Sequence, residues 1–186
     1  EKELKKRQEE TSSSSATGII MDPETGEVLA MATTPGFDNN HFGSTRPEFH
    51  RIKSITDQFE PGSTFKVVST VSALYNGLIS LNDEFNCENG SFEYHTKKIT
   101  DHESYSMLTA SQIIHHSSNI GIIKIMDQVG QKKLFSMSRD FGFGSKTGIN
   151  LNGEVSGKLN HFNDWSAVSL GMIAMGHEVG VTAIQL

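Results

Sequence analysis

The sequence predicts an α+β fold in which a helix-rich central part accompanies short antiparallel strands. Two observations support this prediction. Apolar runs at 17–22 and 27–33 flank the turn sequence Pro-Glu-Thr-Gly, which is typical of a β-hairpin. Helical patterns with recognisable start and stop residues follow at about 62–76, 119–129 and 131–140.

The remaining segments predict shorter elements. The charged first ten residues and the run TSSSS indicate the end of a helix and a Ser-rich linker, so we expect residues 1–15 to belong to a missing N-terminal region and a domain to begin at residue 16. The segment 35–55 has no clear period and predicts a loop. Short strands are expected around Asn89-Gly90, and a capping box predicts a short helix from Thr109. The apolar stretch DWSAVSLGMIAMG predicts a buried helix.

Composition excludes several classes of function. The formal net charge of −6 argues against a nucleic-acid-binding surface. The single cysteine, Cys87, excludes an internal disulfide framework and a cysteine-based metal site. The adjacent His115 and His116 do not share a helix face, and no His-Glu-x-x-His pattern occurs, so we expect no metal and no cofactor. There is no run of 18 apolar residues and no signal-peptide pattern.

The stretch EPGSTFKVVSTVSAL places Ser63 three residues before Lys66 at the start of an apolar helix. This spacing puts both side chains on one helix face. A serine hydroxyl needs a nearby base to become a nucleophile, and a lysine with a lowered pKa can be that base. The N-terminus of the helix would favour an oxyanion beside the serine. The same four residues also fit a plain polar helix start.

A second polar element, Ser117-Ser118-Asn119, lies between two predicted helices. Ser117 can relay a proton between the lysine and a leaving group. The amide of Asn119 both donates and accepts, so it can hold a substrate amide and the lysine together. The alternative is that Ser118 or Asn119 only caps the following helix.

Together, PGSTFK and SSNIG resemble the catalytic core of the penicillin-binding proteins. The stretches MDPETGEVLAMATTPGFDNN and SLGMIAMGHEVGVTAIQL resemble further segments of the monofunctional class B transpeptidases, so the resemblance extends from Ala16 to Leu186. It implies part of the penicillin-binding-protein and serine β-lactamase fold, with a helical subdomain and part of an antiparallel sheet.

The resemblance also implies a peptidoglycan D,D-transpeptidase mechanism. Ser63 would attack the D-Ala-D-Ala carbonyl of a stem peptide, with Lys66 as general base. Ser117 would relay the proton, and Asn119 would bind the substrate amide. The amine of a second stem peptide would resolve the acyl-enzyme into a cross-link, and β-lactams would acylate Ser63 as substrate mimics.

The implied setting is the outer face of the cytoplasmic membrane or the periplasm. The resemblance implies a membrane anchor N-terminal to this sequence and glycosyltransferase partners in cell-wall synthesis.

The third motif of this family is Lys-Thr/Ser-Gly on a strand beside the cleft. Lys146-Thr147-Gly148 matches these letters, but the preceding glycines weaken a strand, and the family's motif usually follows the Thr-x-x-Gln-Leu stretch. We therefore expect Lys146-Thr147-Gly148 to be a loop and the true motif to lie beyond Leu186, which would leave this stretch alone inactive or weakly active. A phosphate-binding loop is disfavoured because Ser145 replaces its second glycine.

Two alternatives remain at this point. A class D-type serine β-lactamase or β-lactam sensor also carries Ser-Thr-Phe-Lys, but that family typically has Ser-x-Val where this sequence has Asn119. A catalytically incomplete scaffold would keep the fold without the activity.

Overall fold

The computed structural model describes residues 1–186, which divide into two compact units. The first unit comprises 1–59, 145–157 and 181–186, and the second comprises 60–144 and 158–180. Seven α-helices and six short strands occur, and all strand pairs are antiparallel, which agrees with the predicted α+β class. No helix combines the length and the apolar character that crossing a membrane requires.

A β-hairpin forms the sheet of the first unit. Its strands are β1 (Ala16–Met21) and β2 (Val28–Thr34), close to the predicted limits, with Ile19 opposite Met31. The Asp22 carboxylate accepts hydrogen bonds from the two amides that follow Pro23, which closes the turn locally. The predicted hairpin is therefore confirmed.

Helix α1 (Lys2–Thr11) lies against this hairpin. The Thr34 hydroxyl donates to the Gln8 side-chain oxygen at 3.0 Å, and Leu4 approaches the backbone of Gly18. The predicted boundary at residue 15 stays a prediction. The segment 35–55, predicted as a loop, contains no strand but has two 3₁₀ turns at 39–44 and 47–50. It also contains one helical turn that the sequence did not predict, α2 (Lys53–Thr56).

The second unit is built around one buried helix. Its helices are α3 (Lys66–Tyr75), α4 (Ala110–His115), α5 (Asn119–Val129), α6 (Gln131–Asp140) and α7 (Ser169–Ala174). Helix α5 is central and packs against α3, α4, α6 and α7. Its Ile120, Ile122, Ile123 and Ile125 are fully buried. Each such side chain contributes roughly 1.5–3 kcal/mol to stability, so α5 holds the unit together.

Local capping signals set the helix ends in this unit. Thr109 and Gln112 exchange the two hydrogen bonds of the predicted capping box before α4. The Ser118 hydroxyl accepts from the Gly121 amide at the start of α5. Gly130 follows the last residue of α5 with a φ of 80°. The predicted limits of α5 and α6 are confirmed.

The strands of the second unit do not pair as a hairpin around Asn89-Gly90, which is what that turn sequence suggests. They are β3 (Glu84–Asn86), β4 (Ser91–Tyr94), β5 (Lys97–Thr100) and β6 (Met107–Thr109). Strand β3 pairs with β6, and β4 pairs with β5. Asn89-Gly90 is flanked by strands, as predicted, but it connects two separate sheets, and the hairpin turn is His95-Thr96.

Two predicted helices differ in their extent. The helix predicted over about 62–76 begins with a 3₁₀ turn, Gly62–Phe65, before α3. The helix predicted from DWSAVSLGMIAMG is only the six residues of α7. Its start is delayed because the Ser169 hydroxyl accepts from the Ser166 amide, which holds the preceding residues in a turn.

Candidate active site

Lys66 is a buried cation at the first position of α3. Its residue is 2% exposed, and its Nζ donates to the Ser117 hydroxyl at 3.1 Å and to the Asn119 Oδ1 at 2.7 Å. A third bond runs to the Ser117 carbonyl oxygen at 2.5 Å. The structure thus brings together three of the four residues that the sequence singled out. These three bonds use all the donors that a lysine ammonium has.

Burial also changes the chemistry of this lysine. It lowers the pKa of Lys66 from 10.5 to about 8, against the opposing effect of the Asp101 carboxylate. A base with such a pKa is neutral in roughly a tenth of the molecules at pH 7. Lys66 can therefore accept a proton under physiological conditions, which an ordinary surface lysine rarely does.

Ser63 lies one turn before Lys66 and is exposed. Its carbonyl oxygen accepts a hydrogen bond from the Lys66 amide, so the two residues are linked through the backbone. The Nζ of Lys66 bonds to Ser117 and Asn119 and not to the Ser63 hydroxyl. A proton transfer from Ser63 to Lys66 thus requires that Lys66 first loses a proton and turns its lone pair towards the serine.

Ser117 has a left-handed backbone conformation, with a φ of 55°. Such a conformation is uncommon for a residue other than glycine and is found mostly where the surroundings impose it. Here both the carbonyl oxygen and the hydroxyl of Ser117 receive hydrogen bonds from Lys66. The loop before α5 is therefore shaped to present Ser117 to the lysine.

Asp101 is a residue of this site that the sequence analysis missed. Its Oδ2 accepts from the Ser118 hydroxyl at 2.6 Å, and its Oδ1 accepts from the amides of Asn119 and Ile120 at 2.5 and 3.1 Å. The neighbouring Thr100 carbonyl accepts from the Asn119 Nδ2 at 3.0 Å. A carboxylate at the start of α5 is stabilised by the free N–H groups and the helix dipole. The end of β5 and the residue after it thereby hold both the backbone amide and the side-chain amide of Asn119.

The Lys146-Thr147-Gly148 stretch lies in a loop of the first unit, as predicted. The Glu154 carboxylate accepts from the amide and hydroxyl of Thr147, both at 2.6 Å, and from the Gly148 amide at 3.2 Å. These donors serve the loop's own structure and are not free for a substrate backbone. No strand includes them.

The other reactive side chains do not form a site. No cluster of three or more His, Cys, Asp or Glu residues could hold a metal ion. His115 and His116 are exposed and contact each other edge to face. Cys87 is buried, and burial raises the pKa of its thiol, which disfavours the reactive thiolate.

The sequence matches a known family and known relatives. The sequence profile described as penicillin binding protein transpeptidase domain matches residues 16–186. The chain is 34% identical over 172 residues to the peptidoglycan D,D-transpeptidase FtsI of Escherichia coli K12, covering 92% of this chain and 29% of FtsI. It is 32% identical over 170 residues to the stage V sporulation protein D of Bacillus subtilis, covering 90% of this chain and 26% of that protein.

A solved structure gives the same result for the fold. The transpeptidase domain of Burkholderia pseudomallei penicillin-binding protein 3 superposes with a TM-score of 0.86 at 26% identity, covering 99% of this chain and 51% of that one. These matches confirm the predicted fold class and the resemblance to class B penicillin-binding proteins. They favour the transpeptidase interpretation over the β-lactamase alternative. The chain spans less than a third of the two curated relatives, and the roles of individual residues stay predictions.

Proposed function

Because the chain belongs to the penicillin-binding-protein transpeptidase family, we propose that it is the nucleophile-bearing part of a peptidoglycan D,D-transpeptidase that cross-links stem peptides through an acyl-serine. The observation that carries the proposal is the buried Lys66, bonded to Ser117 and Asn119 and with its pKa lowered to about 8. A buried lysine with such partners is costly to stability and is typical of a catalytic base.

In the proposed first step, neutral Lys66 accepts the proton of the Ser63 hydroxyl while its oxygen attacks the penultimate D-Ala carbonyl. The carbonyl oxygen takes the negative charge, and the Ser63 amide donates to it. The tetrahedral intermediate then collapses, and the C–N bond to the terminal D-Ala breaks. Ser117, bonded to Lys66, passes the proton to the departing amine. The product is an ester between Ser63 and the stem peptide.

In the second step, the amine of a neighbouring stem peptide attacks this ester. Lys66 removes the proton of the attacking amine, and the Ser63 oxygen leaves and is reprotonated. Asn119 is proposed to hold the substrate amide while its Oδ1 bonds Lys66, which would keep the peptide beside the base. β-Lactams would follow the first step alone. The C–N bond of their ring breaks when the ester forms, and the released amine stays tethered to the acyl group and blocks the second amine.

The proposed substrates are peptidoglycan stem peptides that end in D-Ala-D-Ala, with β-lactams as inhibitors. As a cell-wall synthesis enzyme, the protein is proposed to act at the outer face of the cytoplasmic membrane or in the periplasm. We propose glycosyltransferases that polymerise the glycan strands as its partners, since cross-linking needs newly made strands.

Labelling of the full-length gene product with a fluorescent penicillin tests the proposal. We expect a covalent adduct that survives denaturation and is absent from Ser63→Ala. Lys66→Ala should be acylated about 10²–10⁴-fold more slowly, because it removes the general base. Lys124→Ala, which removes another lysine of the second unit, is the control and should label normally. An adduct that persists on Ser63→Ala would refute the nucleophile assignment.

A further inference from the structure

The turn that carries Ser63 is fastened to the segment that follows α7. The Gly62 amide donates to the Gly176 carbonyl at 3.1 Å. The two backbones are so close that a Cβ on Gly176 would lie 2.0 Å from the Gly62 carbonyl oxygen. Both glycines also have left-handed φ angles, of 60° and 84°. A side chain at Gly176 would therefore push the turn out of place.

The Glu60 carboxylate adds a second connection between these segments. Its Oε2 accepts from the His177 Nδ1 at 2.9 Å, and its Oε1 accepts from the Glu178 amide at 2.9 Å. Glu178 has a φ of 60°, so this amide is held in an unusual backbone conformation. Glu60, His177 and the Glu178 amide form what we call the carboxylate clasp.

The clasp contributes little to global stability. The side chains of His177 and Glu60 are 45% and 55% exposed, and polar pairs with this exposure add little to the free energy of unfolding. The second unit is instead held by the buried residues of α5. The clasp holds in place only the three residues that precede Ser63 in the chain.

The side chains of the proposed base and of the proposed nucleophile are held by different contacts. Lys66 is held by Ser117 and Asn119, on the side of α5. The exposed Ser63 hydroxyl shares none of those bonds. Besides the bond from the Lys66 amide to the Ser63 carbonyl, the position of Ser63 depends on what holds the turn before it. The Gly62–Gly176 hydrogen bond and the carboxylate clasp hold that turn.

We propose that Glu60 and His177 are positioning residues that set the Ser63 hydroxyl and amide for attack, acting through the 176–178 segment. This inference rests on the proposed function. The clasp residues do not contact the reacting atoms. They hold the backbone from which the nucleophile and its amide project.

The test measures non-covalent affinity and the first-order acylation constant separately, with a fluorescent penicillin and the full-length gene product. Glu60→Ala and His177→Leu remove the clasp. We expect the acylation constant to fall about 10–100-fold, since a displacement of about 1 Å from reactive geometry has an effect of that size. Affinity and thermal unfolding should change little. His177→Asn keeps an N–H donor near the position of Nδ1 and should retain most of the rate.

Asp83→Asn is the matched control. Like Glu60, Asp83 is an exposed carboxylate that accepts one backbone amide and one side-chain donor, here both from Ser80. It lies outside the clasp and should leave acylation unchanged. Gly176→Ala should lower the acylation constant at least as much as Glu60→Ala.

The outcomes separate the two proposals. If the wild-type protein forms no adduct, the proposed function itself fails. If the wild type is acylated and Glu60→Ala and His177→Leu acylate at the wild-type rate, the clasp proposal is wrong while the function stands. Equal losses in Asp83→Asn and Glu60→Ala would also refute the clasp, because they would show a general effect of removing exposed carboxylates.

Discussion

The pH dependence of acylation is the sharpest consequence of the buried lysine. If neutral Lys66 is the base, the rate follows the fraction of neutral lysine. With a pKa of about 8, that fraction is roughly 1% at pH 6, 10% at pH 7 and 90% at pH 9. The acylation rate constant should therefore rise about tenfold per unit between pH 6 and 7 and become constant near pH 9. If the base were an unburied lysine with a pKa of 10.5, the rate constant would still be rising at pH 9.

The assay is the second-order rate of acylation of the full-length protein by a fluorescent penicillin from pH 6 to 9.5 at constant ionic strength. Circular dichroism at each pH checks that the protein stays folded, and hydrolysis of the free penicillin is subtracted. A rate that is independent of pH between 6 and 9 would refute Lys66 as the titrating base. A rise that continues with the same slope up to pH 9.5 would refute the effect of burial on its pKa.

Three further predictions follow from single contacts. Asp101→Asn removes the charge that raises the pKa of Lys66, so the acid limb of the rate profile should move to lower pH. It should also lower the free energy of unfolding by roughly 1–2 kcal/mol, measured by urea denaturation, because α5 loses an anionic cap. An acid limb at the same pH as in the wild type would contradict the effect of the Asp101 charge on the pKa of Lys66. Thr109→Ala removes the capping box of α4 and should cost about 1 kcal/mol in the same denaturation experiment, with acylation unchanged; equal stability would show that the box adds nothing. Lys146→Ala should acylate like the wild type, and a loss as large as that of Lys66→Ala would show that the Lys146 loop takes part in the reaction.

The sequence predicted those elements whose limits depend on neighbouring residues. The ends of α5 follow from the Ser118 cap and from Gly130, and both signals lie within one turn of the helix. The hairpin β1–β2 follows from two apolar runs around a turn that is closed by Asp22. Where a local signal competes with distant packing, the prediction was less accurate. Asn89-Gly90 has the composition of a hairpin turn, but β3 pairs with β6.

The residues of the candidate site also divide into those with a local sequence signal and those that only the fold brings together. The spacing of Ser63 and Lys66 is local and could be found from sequence. The contact of Lys66 with Ser117 and Asn119 spans more than fifty residues and was reached only through the family resemblance. Asp101 was missed because an aspartate after a short strand has no distinctive local pattern. Its importance appears only when the end of β5 meets the start of α5.

The buried lysine has an energetic consequence for the whole fold. A lysine whose pKa falls from 10.5 unfolded to about 8 folded lowers stability by roughly 3 kcal/mol wherever both states are protonated, which is below pH 8. This cost disappears as the pH rises from about 8 to 10.5, because the unfolded chain then binds the proton that the folded chain has lost. Asp101 reduces the cost, since its charge favours the protonated lysine. The same carboxylate thereby raises the pKa of Lys66 and makes the base less available at neutral pH. Stability and reactivity thus oppose each other at Asp101, because one carboxylate both caps α5 and sets the charge of Lys66.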